Sequence, residues 1–311
     1  MQKNLNRKIP KTIFKDISND YGDKKYYIKS YNQQFLLRAF NVSEYIKHRN
    51  EEEYNYEQQY YYLKILRKKT KLVPKPIKLM FLEQENEYGI LLQWIKGITL
   101  DKVINNFSKL TINKLARKTA KLLKVINSLH KNKINDQIKE DYIFDRIRRI
   151  YLLQPAIKKN KDPKELILLN LLINKFKEYT RKHYFQKIRL VFSHGDFHFT
   201  NLVYYKNKIY AIDFNRCGFE FYLQDLVKLY FFDNDKNNLF VKKTIKNYFN
   251  PNNKNAWKIF KFLNIMFCLT SWRWAFLHRK NKQLYQDFLE LIVNVVYDYD
   301  SFKLLIPKSL K

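Results

Sequence analysis

Glycine, proline and cysteine are all scarce in this chain: five, seven and two residues among 311. So little Gly and Pro excludes collagen-like and flexible low-complexity classes. Two cysteines, Cys217 and Cys268, cannot build a disulfide framework, which fits a reducing compartment. Long apolar runs are missing too. The most apolar stretch, Phe260 to His278, is interrupted by Lys261, Asn264 and Arg273, too polar for a bilayer core. The N-terminal Lys3, Asn4, Asn6, Arg7 and Lys8 lead into no apolar run, so no signal peptide is expected and the default address is the cytoplasm. Acids are also short, 29 against 60 Lys and Arg, a formal charge of +31.

What remains is rich in apolar and aromatic material, 46% and 17% of residues, which rules out a disordered chain despite the charge. The length allows one or two substantial cores. A large positive charge can mark a nucleic-acid or anionic-membrane partner. A/T-rich codons explain it as well, because Lys, Asn, Ile, Tyr and Phe are abundant while Gly, Pro and Ala are not. The basic runs at 67–71, 146–149 and 158–164 are scattered rather than gathered into a stripe, so they read as solvated surface. The same bias makes each surviving glycine informative. Gly22, Gly89, Gly97, Gly195 and Gly218 are expected where the backbone needs positive φ or close approach.

Lys25–Tyr31 and Gln34–Phe40 read as a hairpin turning at Asn32. Residues 50–69 have helical spacing and stop before Val73-Pro74-Lys75-Pro76. Ile77–Glu83 and Tyr88–Trp94 form a second hairpin about Asn86. After Gly97 the period becomes helical, with Ile112, Leu115, Ala116, Thr119, Leu122, Leu123, Ile126 and Leu129 on one face. Helices are also expected over Ile138–Leu153 and Glu165–His183. A compact β region spans Leu190–Phe214, with a hairpin about Lys206-Asn207-Lys208, and everything past about Gln224 is helical by pattern. No internal repeat is present.

The densest polar cluster is Ser193-His194-Gly195-Asp196-Phe197-His198-Phe199-Thr200-Asn201, followed by Ala211-Ile212-Asp213-Phe214. A strand enters this loop and a hairpin leaves it, so Asp196 and Asn201 stand beside the strand end that carries Asp213. Carboxylate and amide oxygens are the hard ligands that Mg²⁺ prefers. Phosphoryl transfer needs a carboxylate to orient the attacking hydroxyl and a metal to neutralise phosphate oxygens. His194-x-Asp196-x-His198 also offers zinc ligands, but zinc explains neither Asn201 nor Asp213.

His-Gly-Asp-Phe-His-x-x-Asn followed by Ile-Asp-Phe resembles the aminoglycoside phosphotransferase/choline kinase-like family. The resemblance runs from the first hairpin to about residue 230. It implies an α+β, bilobal protein-kinase-like fold: a β-rich N-lobe over 1–92, a hinge at 93–97, and a helical C-lobe over 98–311. It further implies ATP or GTP with Mg²⁺, Asp196 as catalytic base, and Asn201 and Asp213 as metal ligands. His194 and Asp225 would support the catalytic loop. Arg38 would meet the nucleotide phosphates, with Glu57, or Glu53 one turn earlier, as its helix partner. Gly22 would mark the turn over the phosphates, and the backbone at Gln93 and Ile95 would read the base. Asn215 stands where many relatives carry a second acid.

The expected activity is phosphorylation of a small-molecule hydroxyl: a choline-like compound, an amino alcohol, a sugar or an antibiotic. The basic average is a mild argument against polycations. Trp257, Trp272 and Trp274 could form an aromatic cage for a quaternary amine, although Trp at helical spacing is more often core. Two other readings compete: a structural protein resembling spore-coat kinase-like proteins, and, ranked last, a nucleic-acid-binding basic protein.

Overall fold

In the computed structural model, the described residues are 13–18, 24–41, 56–82, 86–129, 144–145, 147–153, 155, 157, 162–181 and 189–311. The N-terminal part is an antiparallel sheet of five strands. They are β1 (Ile13–Asp16), β2 (Lys24–Ser30), β3 (Gln33–Asn41), β4 (Pro76–Leu82) and β5 (Glu87–Gln93), in the order β1-β2-β3-β5-β4. Both expected hairpins are present. Tyr31 and Asn86 make their turns with φ of 53° and 50°. The tight first turn pairs Ser30 with Gln33, and the same register places Lys25 directly opposite Arg38.

Helix α1 (Tyr56–Lys69) packs on the sheet through buried Tyr56, Leu63 and Leu66. The segment after Gly97 is a two-residue strand, β6 (Ile98–Thr99), which sequence periodicity does not reveal. It pairs with β8 (Leu202–Tyr205), which pairs with β9 (Lys208–Ala211). The link from sheet to helices is thereby tied to the hairpin beyond the polar loop. Another strand absent from the sequence reading, β10 (Gly218–Phe221), pairs with β7 (Leu190–Ser193).

After the short α2 (Leu100–Val103) come α3 (Lys109–Ile126), α4 (Pro163–Arg181), α5 (Gln224–Asp233), α6 (Asn238–Tyr248), α7 (Lys254–Leu277) and α8 (Lys282–Asp298). Ser108 caps α3 by accepting from the Thr111 N–H, satisfying one of its orphan donors. The face forecast for α3 is the buried one and packs on α6. Each fully buried large apolar side chain contributes about 1.5–3 kcal/mol, so packing rather than helix propensity holds α3. Of the helix forecast over Ile138–Leu153, residues 144–145 and 147–151 are helical, while 138–143 and 146 lie outside the described residues, as do residues 50–55 of the earlier one.

The central helix α7 is buried on most sides. Trp257 and Trp272 are core side chains there. Trp257 donates to the Pro251 carbonyl, while Trp272 stacks on Phe276. Trp274 is 38% exposed, so the three do not form a cage. Among the described residues, no helix is long and apolar enough to cross a membrane.

Candidate active site

Strand β7, buried along its length, delivers Ser193, His194 and Gly195 to the carboxylate of Asp225 in the first turn of α5. Asp225 accepts from Ser193 Oγ at 2.7 Å and from the backbone N–H groups of His194 and Gly195, each at 3.0 Å. Asn127 Nδ2 adds a fourth contact at 3.3 Å, and Asn127 accepts from the Tyr248 hydroxyl. Two turns on, buried Asp233 accepts from the Phe199 N–H at 2.7 Å. One helix therefore braces both ends of the loop. Burial pushes the Asp233 carboxyl up from the ordinary range, against the opposing pull of Lys236.

Gly195 has φ +82°, and a Cβ there would lie 1.8 Å from the Arg216 carbonyl oxygen. Here the expectation for a rare glycine holds. Gly218 contradicts it, because its nearest neighbour to a Cβ would be Gln58 Nε2 at 3.8 Å, ordinary contact in an ordinary strand. Gly22 and Glu53 lie outside the described residues.

His194 is fully buried against the Phe214 and Phe197 rings. Burial pushes its pKa down, so the ring is neutral. Its Nε2 lies 2.8 Å from the Ile212 carbonyl, and Nδ1 receives the Asp196 N–H at 3.2 Å. That pair of contacts needs the tautomer protonated at Nε2. His194 thus ties the loop to the strand end that carries Asp213.

Asp196 Oδ2 sits 3.0 Å from Asn201 Nδ2 and 3.2 Å from His198 Nε2, while Oδ1 faces Lys228 Nζ at 3.4 Å. Burial pushes its carboxyl up, but the His198 hydrogen bond and the charges of Lys228, His198 and Arg216 hold it well below the ordinary range. Asn201 Nδ2 also donates to the Asp196 carbonyl, which turns the amide oxygen away from the Asp196 carboxylate. Asp213 has φ +63°, a costly conformation for a residue with a Cβ. Its Oδ1 takes Arg38 at 2.7 Å and its Oδ2 takes Lys25 at 3.2 Å. Against burial, Arg38 and then Lys25 hold Asp213 below the usual carboxylate range.

The structure thus gathers Asp196, Asn201, Asp213, Arg38, His194 and Asp225 around one loop. Glu57 is exposed in the first turn of α1. The Gln93 N–H is taken by the Lys75 carbonyl and that of Trp94 by Gln34. Lys25, Lys228 and Asp233 are contacts that sequence reasoning missed. Lys25 had a signal, since it stands opposite Arg38 in the register set by the turn.

Among the described residues, no three His, Cys, Asp or Glu side chains cluster as a zinc site would require. Hard oxygen donors are what the site offers: the Asp213 carboxylate, the Asn201 amide oxygen and Asn215 Oδ1. The last is buried with no partner among the described residues. This donor set suits Mg²⁺. The nearby Cys217 thiol is pushed up to about 12 by burial, so it is no nucleophile.

The topology is that of the bilobal protein-kinase-like folds, an antiparallel sheet followed by a helical part. The phosphotransferase enzyme family matches residues 13–261, and the chain belongs to that family of small-molecule kinases. No curated protein sequence matches it. Among solved structures it is similar to the GDP complex of aminoglycoside 2'-phosphotransferase-IIIa, at 15% identity and TM-score 0.64, covering 90% of this chain and 91% of that one. Choline kinase from Cryptosporidium parvum is 13% identical with TM-score 0.56, over 99% and 94% of the two chains. An amicoumacin kinase in complex with AMP-PNP and Ca²⁺ is 11% identical with TM-score 0.60, over 94% and 90%.

Proposed function

We propose that the protein is an ATP- or GTP-dependent, Mg²⁺-requiring kinase that phosphorylates the hydroxyl of a small molecule. One observation carries this reading: Arg38 and Lys25 of the sheet converge on Asp213, whose strand end His194 fastens to the loop holding Asp196 and Asn201. The sheet of residues 1–92 covers the nucleotide, 93–97 is the hinge, and the helices of 98–311 hold the acceptor. At the hinge, with the Gln93 and Trp94 N–H groups engaged, the Ile95 N–H is the donor left for the base.

Asp213 and Asn201, with Asn215 beside them, hold the metal, which neutralises phosphate oxygens when bound. Arg38 and Lys25 then turn from Asp213 towards the nucleotide phosphates, Arg38 as a planar fork. Asp196 accepts the acceptor hydroxyl and fixes its line of attack. The hydroxyl oxygen bonds to the γ-phosphorus as the bond to the β,γ-bridging oxygen breaks, and the nucleoside diphosphate leaves with that electron pair. The proton passes to Asp196. A carboxylate held so far below its ordinary range is a weak base, so Asp196 orients first and takes the proton late.

Thermal shift with Mg-ATP tests the reading. At a hundredfold excess over Kd, nucleotide stabilises the wild type by about 2.7 kcal/mol, and Asp213→Ala loses that gain relative to its own nucleotide-free state. No shift in the wild type, or an equal shift in the variant, would sink it.

A further inference from the structure

Besides Arg216, lysines and an arginine approach the Asp196 region from the sheet and from α5. Lys25 and Arg38 reach the site from the sheet and engage Asp213. Lys228 comes from α5 and engages the base itself. Its Nζ donates to the Gly195 carbonyl and lies 3.4 Å from Asp196 Oδ1. An ammonium has three donors, and these two contacts leave one without a partner among the described residues. The side chain is 11% exposed and runs past the Phe267 ring, whose centroid is 5.9 Å from Nζ. Phe232 stands 5.9 Å from Phe267 and 5.3 Å from the His198 ring. The helical flank of the base is therefore an aromatic wall with one cation in it.

That flank offers a positively charged molecule little. Both carboxylates of α5 are buried and engaged: Asp225 by the loop backbone, Asp233 by Phe199 and Lys236. Just past the helix, Asp235 holds Asn294. A cation brought to Asp196 meets Lys228 and Arg216, whose charges already act on that carboxylate.

Building on the phosphotransferase reading, we infer that Lys228 is a specificity-determining residue of the acceptor site. The acceptor is an alcohol that carries an anionic group, a carboxylate or phosphate ester, near its reacting hydroxyl. The free Lys228 donor takes that group while Asp196 takes the hydroxyl. The same lysine excludes choline-like and aminoglycoside-like cations from the reacting position.

ADP release with Mg-ATP is measured for matched acceptors: 4-hydroxybutanoate and glycerol 3-phosphate, their neutral counterparts butane-1,4-diol and glycerol, and the cations choline and kanamycin. One charged hydrogen bond is worth roughly tenfold to hundredfold, so the wild type should favour an anionic acceptor over its neutral counterpart by at least about tenfold in kcat/KM. Lys228→Met should lose that preference and Lys228→Arg should keep most of it. Both should bind Mg-AMP-PNP within about twofold of wild type, showing that the fold and the nucleotide site survive. Preference for choline or kanamycin, no turnover of either anionic compound, or an unchanged preference in Lys228→Met would overturn the inference. Failure of the wild type to bind Mg-AMP-PNP is a different result, because it removes the phosphotransferase reading itself.

Discussion

Gly195→Ala is the sharpest perturbation the loop offers. With φ at +82°, any side chain there costs roughly 1–2 kcal/mol in backbone strain. The new methyl would lie 1.8 Å from the Arg216 carbonyl oxygen and 2.4 Å from its carbon, where ordinary contact begins at 3.4 Å. Loop and Arg216 backbone must therefore separate by about 1.6 Å. Neither yields freely, since Asp225 anchors the loop and β10, two residues past Arg216, is paired to β7. The Gly195 N–H contacts to Asp225 and Ser193 are the first to be lost, at about 1–3 kcal/mol together. The sum, about 2–5 kcal/mol, corresponds to a fall in Tm of roughly 4–20 °C. Asp196 is the next residue, and misplacement by about 1 Å costs on the order of a hundredfold in turnover. Thermal melts and ADP release measure both effects. Gly218→Ala is the control: its methyl makes only ordinary contact, with Gln58 Nε2 at 3.8 Å, and Tm should move by no more than about 2 °C. A Gly195→Ala protein that melts with wild type and turns over within about fivefold of it would refute the reasoning.

Two further substitutions test the supports. Asp225→Ala strands the donors of Ser193, His194, Gly195 and Asn127 in a buried setting. It should cost about 3–5 kcal/mol by chemical denaturation and abolish turnover, whereas Asp225→Asn, keeping one oxygen, should cost less; equal losses in the two variants would contradict a hydrogen-bonding role. Lys261 is buried on α7, donates to the Phe302 carbonyl, and has its pKa pushed down to about 8 by desolvation. A lysine lowered this way is neutral in both states well above its unfolded value near 10.4, and the folded state is penalised progressively as pH falls towards 8. Lys261→Met should therefore gain in Tm relative to wild type as pH is lowered from about 10 to about 7. A pH-independent difference between the two melts would show that the lysine is not desolvated.

Which parts of the site were legible follows from how far the information is spread along the chain. Asp196 and Asn201 stand five residues apart on one loop, and Asp213 ends the hairpin that leaves it, so local chemistry and turn signals sufficed. The β2–β3 hairpin was legible for the same reason, and its register held Lys25 ready to be read as the neighbour of Arg38. Strand β10 was not legible. It is four residues long, opens on a glycine, and exists because β7, 25 residues or more earlier, supplies its partner. Lys228 is the instructive case. Leu226-Val227-Lys228-Leu229-Tyr230-Phe231-Phe232 is a helix segment with one charge among apolar residues, and no sequence rule treats a lone lysine as a site. Yet a helix packed on more than one side gives its only cation a choice between solvent and a paired interior position. Lys228 lies three residues after Asp225, so the two share a helix face. Once Asp225 is known to grip the backbone at Gly195, that face points at the loop, and the ammonium has the Asp196 carboxylate within reach. The lysine's place was therefore implied by the motif and the helical period together, and what the fold adds is its distance from the Asp196 carboxylate.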